Sequence, residues 1–186
     1  MSDMTHISEQ EPKSESKLLA FWKKWEEEIR RLLRNAFIVL VGVWVMFGVI
    51  AGVGKVGGVE MTPAVNLGDI VIYYRLDKTP TAREVIVFVQ EGTECIGRVI
   101  AIPGDKVEIS DAGQVFVNGH LIQEDRIYDQ TYPYPDYVSY PITLQKDEYF
   151  VLGDNRKSAV DSRYYGPVTK DEIKGTLLTV IRQTNI

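Results

Sequence analysis

The chain has 186 residues, 45% hydrophobic and 25% charged, with 15 Gly and 8 Pro. That is the length and composition of one domain plus an appendage, neither disordered throughout nor collagen-like. The net charge of −5 argues against nucleic acid as a partner, and a single Cys with two His is too few for a disulfide framework or a Cys/His zinc site, so no metal and no cofactor is expected. His6 in a polar tail and His120 after an Asn-Gly turn also leave a Ser-His-Asp hydrolase hard to build.

Residues 1–16 are polar without an apolar period and read as a disordered tail with no cleavable leader. Residues 17–35 read as an amphipathic interfacial helix. Leu18, Trp22, Trp25, Ile29 and Leu32 recur at three- and four-residue steps, flanked by Lys23, Lys24, Arg30, Arg31 and Arg34. Ala36 to Gly54 carries no charge and reads as a transmembrane helix. At about 1.5 Å per residue it spans roughly 28 Å, one hydrocarbon core. Five Lys or Arg lie in the fifteen residues before it and only Lys55 in the fifteen after. The positive-inside rule then predicts a cytoplasmic N-terminus, with residues 55–186 outside the cell membrane.

Residues 55–186 read as mainly β. Asp69–Arg75, Glu84–Gln90 and Cys95–Ile102 are β-branched runs, with shorter ones at Val107–Ile109 and Gln114–Val117. Asn118-Gly119 predicts a hairpin turn, Tyr149–Leu152 leads into Gly153-Asp154-Asn155, and Thr176–Ile181 is the last strand. No ten-residue helical pattern separates most of these runs, so antiparallel sheets are expected.

Three stretches stand out by order and spacing: Glu60-Met61-Thr62-Pro63 with Gly68-Asp69; Arg98 to Asp105 (RVIAIPGD); and Gly153-Asp154-Asn155-Arg156 with Asp161-Ser162-Arg163. Together, in a β domain behind one anchor, they resemble type I signal peptidases from about Ala36 to the end. The resemblance implies the signal-peptidase β fold and a cleft that receives exported chains, with Glu60, Met61 and Pro63 as cleft residues. It also implies a Ser nucleophile and a buried neutral Lys base, whose lowered pKa lets it take the Ser proton. This sequence departs from that pattern at each chemical position. Glu60 stands at the nucleophile position, Gly97 at the base position and Ala159 at that of the Lys-orienting Ser. No Ser lies between Ser16 and Ser110; Thr62 is two places along, and Lys106 is nine residues past Gly97.

The resemblance therefore implies an inactive homologue. The resemblance is to single-anchor members of the family with Ser and Lys replaced, known from pilus gene clusters of Gram-positive bacteria, where they act as accessory, chaperone-like factors for sortase-assembled pili. The partner so implied is an exported protein or pilin precursor, or the sortase, met at the bilayer surface. A signal peptidase with an unconventional dyad is the alternative, and an unrelated anchored domain binding the cell wall is a third reading. Gly97 beside Glu60 suggests an open space for a basic or amide group; the bland reading is a solvated Glu60. Asp154, Asp161 and Arg163 read as a structural ion-pair and hydrogen-bond set that fixes the third motif, and Cys95, on the face of Gly97, as a small buried apolar group. Residues 126–141 hold five of the ten Tyr and three of the eight Pro, an exposed stiff loop in which Tyr132, Tyr134 and Tyr137 are candidate partner contacts.

Overall fold

A computed structural model describes residues 13–124, 127 and 129–182. It divides into an N-terminal unit ending at Val45 and a second unit running from Met46. Most of the tail expected at 1–16 lies outside the described residues, and Lys13–Ser16 are already helical.

The first unit is one helix, α1 (Lys13–Val45). The border expected between an interfacial and a spanning helix is absent, because Gly42 is the only Gly and no Pro occurs within these 33 residues. Trp22, Trp25, Ile29 and Leu32 are all exposed. Phe21–Ile50 is long and apolar enough to cross a membrane, which fits a single-pass anchor.

The apolar run does not stay helical to Gly54. Met46–Ile50 winds as a π turn, and Ala51–Lys55 is a strand, β1. β1 pairs antiparallel with β2 (Ile70–Tyr74), from Ala51↔Tyr74 to Lys55↔Ile70. Gly52 permits this pairing: a side chain there would collide with the Tyr73 ring. Gly is also a weak helix former, so pairing outcompetes continuation of the helix.

The other strands follow in chain order: β3 (Val85–Gln90), β4 (Thr93–Ala101), β5 (Lys106–Ile109), β6 (Val115–Val117) and β7 (His120–Leu121). Then come β8 (Ile142–Thr143), β9 (Glu148–Leu152), the short helix α2 (Ser162–Tyr165), β10 (Val168–Thr169) and β11 (Ile173–Ile181). They form a seven-stranded sheet ordered β1-β2-β11-β3-β4-β9-β10 and a four-stranded sheet ordered β7-β6-β5-β8. Every pairing is antiparallel, as the absence of intervening helices predicts. Asn118 and Gly119 turn from β6 to β7 with φ of 53° and 79°, the left-handed pair that a two-residue hairpin needs.

Two details position the cleft. Beneath the loop from β1 to β2, Val56, Met61, Val65, Val71, Tyr73 and Val87 form a buried cluster that anchors the loop from below. The segment after β9 is then pinned by three buried or half-buried arginines. Arg98 grips Asp154 with two bonds, Nε to Oδ1 at 2.8 Å and Nη2 to Oδ2 at 2.6 Å. Arg156 donates to the Gly153 carbonyl at 2.9 Å and to Thr131 and Glu124. Arg163 is paired with Asp161, whose carboxylate also accepts from the Gly153 and Arg163 N–H groups and caps α2. The single set expected for Asp154, Asp161 and Arg163 is thus two separate ion pairs, since Asp154 reaches across to β4 for its partner.

Asp161→Ala leaves the buried Arg163 guanidinium uncompensated and removes the cap, a loss of about 3–5 kcal/mol. Chemical unfolding followed by circular dichroism of the β signal measures it. Tryptophan fluorescence does not report on this region, because Trp22, Trp25 and Trp44 all lie in α1.

Candidate functional site

The loop from β1 to β2 carries Glu60 at its turn. Thr62 N–H bonds to the Val59 carbonyl at 3.1 Å, and Val65 N–H to that of Met61 at 2.9 Å. This winding drives Met61 fully into the core and leaves Pro63 exposed. Of the three residues expected at the cleft, only Glu60 lines the cavity. Its carboxylate folds back over Gly58, where any side chain would block it.

The third motif braces this loop from behind. Asn155 N–H donates to the Glu60 carbonyl at 2.8 Å, and Asn155 Nδ2 to that of Val59 at 3.2 Å. A Cβ on Gly153 would stand 2.6 Å from the Glu60 carbonyl and would strike the Ala159 methyl. Glu60 and Ala159, 99 positions apart in the chain, therefore meet at Gly153.

Gly97 does not join them as expected. It is buried in β4 opposite Ile86, and a Cβ there would lie 2.5 Å from Val151 Cγ1 and 3.5 Å from Phe88 Cε1. Val151 is itself fully buried. The open space expected beside Gly97 is filled by the core, and Gly97 does not line the cavity. Lys106 is likewise remote, since it opens β5 in the smaller sheet, paired with Thr143.

The cavity has a volume of about 340 Å³. Val71, Val87 and Ile96 supply apolar wall, while Glu60, Cys95 and Tyr165 supply polar atoms. Cys95 is half-buried in the cleft, so the apolar role expected of it is incomplete. Burial pushes its thiol above the usual range, and the Glu60 charge pushes it further. A thiol so placed is a poor nucleophile near neutral pH. Burial also drives the Tyr165 phenol far up, with Asp161 adding to it.

The three tyrosines expected to contact a partner have separate fates. Tyr134 donates its hydroxyl to the Ala159 carbonyl at 2.8 Å and lies 4.7 Å beneath the Arg163 guanidinium, so it is a packing residue of the third motif. Tyr132 is exposed and bonded to Gln130. Tyr137 stacks on Tyr164 at 4.2 Å, and Tyr164 lines the cavity, so this part of the loop reaches the cleft rim. Arg126 and Tyr128 of the same loop lie outside the described residues.

Residues 29–181 match the family model described as signal peptidase, peptidase S26. The chain belongs to the signal peptidase S26 family. It is 30% identical over 162 residues to a protein named probable signal peptidase I-2 from Synechocystis, covering 80% of this chain and 69% of that protein. Signal peptidase I P of Bacillus subtilis subsp. natto is 36% identical over 94 residues, 47% of this chain and 50% of that protein. Signal peptidase IB of Staphylococcus aureus is 27% identical over 161 residues, 73% of this chain and 84% of that protein. A crystal structure of a signal peptidase I from Enterococcus faecalis V583 aligns with a TM-score of 0.46 at 28% identity, covering 53% of this chain and 97% of that one.

Within this S26 chain the cleft yields two testable consequences. Gly97→Lys forces the new side chain into Val151, an overpacking loss of about 1–3 kcal/mol. Val151→Ala in the same chain relieves the collision, so the double variant unfolds at a higher denaturant concentration than Gly97→Lys alone. Second, the only cysteine makes thiol labelling unambiguous. Glu60→Gln removes a charge that raises the Cys95 pKa, so at neutral pH the thiolate fraction rises. Alkylation of Cys95 by iodoacetamide is then faster in the variant, and the curve of rate against pH moves to lower pH.

Proposed function

We propose that this S26 protein is a non-catalytic signal-peptidase homologue that binds exported chains as a membrane-anchored accessory factor. The observation that carries this reading is the state of the two chemical positions. A carboxylate stands at position 60, and the space beside residue 97 is occupied by Val151. Without a hydroxyl at one and an amine at the other, the family's acyl transfer has neither nucleophile nor base. Losing both members of such a unit leaves only binding effects. The frame around them is retained, with Arg98 on Asp154, Arg163 on Asp161 and a cleft of about 340 Å³.

By its resemblance to the subgroup with both positions replaced, the factor works in sortase-dependent pilus assembly. Its partner is then a pilin precursor or the sortase. The basic flank before Ala36 supports a cytoplasmic N-terminus and an extracellular β domain.

The test is cleavage and binding of a labelled pre-pilin by the detergent-solubilised full chain, with Glu60→Ala as control. The expected result is no cleavage and retained binding. Cleavage that disappears in Glu60→Ala overturns the reading in favour of a peptidase with an unconventional dyad.

A further inference from the structure

Helix α1 is longer than a bilayer needs. Its 33 residues run about 50 Å, against a hydrocarbon core of about 30 Å. Arg30, Arg31 and Arg34 mark where the hydrocarbon begins, because each charge is costly inside it. Trp22 and Trp25 lie on the far side of those charges, roughly 21 and 16 Å along the axis from Ala36. The headgroup layer is only about 5–8 Å deep. A helix that continues unbroken out of the bilayer therefore carries both Trp rings past the headgroups. They are 63% and 53% exposed, and Phe21 packs edge-on against each, with ring centroids 6.2 and 6.0 Å away. An aromatic cluster of this size in water needs a cover.

The pattern around the cluster defines that cover. With Trp22 at heptad position a, Trp25 falls at d, Ile29 at a and Leu32 at d. Every b, c and f position from Lys23 to Arg34 is charged: Lys23, Lys24, Glu27, Arg30, Arg31 and Arg34. A stripe this narrow is the seam of a coiled coil, whereas a helix lying on a membrane presents a wider apolar face. Glu26 at e and Glu28 at g border the seam on either side. In a helix laid flat they would be pressed toward anionic headgroups, which repel them. After Leu32 the register runs on without a skip through Ala36, Val39 and Val43. All neighbours are apolar there, so what counts is that the seam keeps one line as it enters the bilayer.

We infer that α1 pairs in parallel with α1 of a second copy of this chain, through the seam that begins at Trp22 and Trp25. Two features favour a second copy as the occupant. Copies of one chain insert in the same direction, so their seams have equal length and enter the bilayer at the same height. The flanks also fit. In a parallel pair each g position meets the e position five residues on in the other helix, which sets Phe21 against Glu26 and Glu28 against Leu33. No like charges face each other across the seam in this stretch, and Glu26 is answered by Arg30 of its own helix at 3.5 Å. Burying the Trp rings of both copies removes about 500 Å² from water. That is roughly half of what a specific interface requires, before the aliphatic positions are counted.

Cysteine cross-linking of the full chain in liposomes tests the register. In a Cys95→Ala background one residue at a time becomes cysteine: Ile29→Cys and Leu32→Cys in the seam, Glu27→Cys and Arg31→Cys outside it. Like positions a and d meet across a parallel pair, whereas c and f point away. Oxidation with copper phenanthroline is therefore expected to give about tenfold more disulfide-linked dimer at 29 and 32 than at 27 and 31. Adding Trp22→Ala and Trp25→Ala to the Leu32→Cys chain lowers that yield about tenfold. Circular dichroism of the β signal establishes that the second unit is folded in every variant. Equal cross-linking at all four positions overturns the inference, because the contact then has no register. Absence of dimer at 29 and 32 also overturns it, and lipid or a different protein then covers the stripe. A yield unchanged by the two Trp replacements overturns the assignment of the seam to those rings.

Discussion

The carboxylate of Asp161 holds the site together. It accepts from the Gly153 N–H at 3.0 Å, from the Arg163 backbone at 3.1 Å and from the Arg163 guanidinium. A buried carboxylate is tolerable only because a buried arginine and several N–H groups answer it. Arg163 in turn donates to the Arg156 carbonyl at 2.8 Å, so the loop from Gly153 to Asp161 closes on itself. Closed in this way, it presents Gly153 and Asn155 to the Glu60 backbone. The position of the Glu60 side chain follows from those contacts and not from its own chemistry.

That arrangement explains how the cleft keeps its shape independently of the side chains at 60 and 97. The groups that shape the cleft are backbone and charge pairs: the Glu60 carbonyl on Asn155, Arg98 on Asp154, Asp161 on Arg163. None of them needs a hydroxyl at 60 or an amine at 97. Once no long side chain occupies position 97, close packing fills the vacancy, and Val151 and Phe88 stand where one would begin. Ala159 sits flush against Gly153 with no polar atom to satisfy.

Much of the fold was legible from local pattern. Runs such as Glu84–Gln90 and Cys95–Ile102 became β3 and β4 within a few residues, because β-branched residues bounded by turns suit a strand under most tertiary contexts. Two-residue strands were not legible: β8 and β10 are too short to show a period. β1 was concealed for another reason. Gly52 and Gly54 sit in an apolar run that reads as continuous helix, and only the Tyr73 ring across the sheet reveals why glycine is there.

The sequence alone determined an apolar N-terminal helix, the antiparallel β class and the three motif frames, because each depends on residues near one another in the chain. It also singled out positions 60, 97 and 159 within those frames. Tertiary structure decided where those positions lie. Position 97 is a packed core site, position 159 a contact for Gly153, and position 60 alone faces the cavity. The same holds for the tyrosines, where one packs under Arg163 and another reaches the rim. Such outcomes depend on which atoms from distant strands share a volume, and hydrophobic pattern carries no information on that.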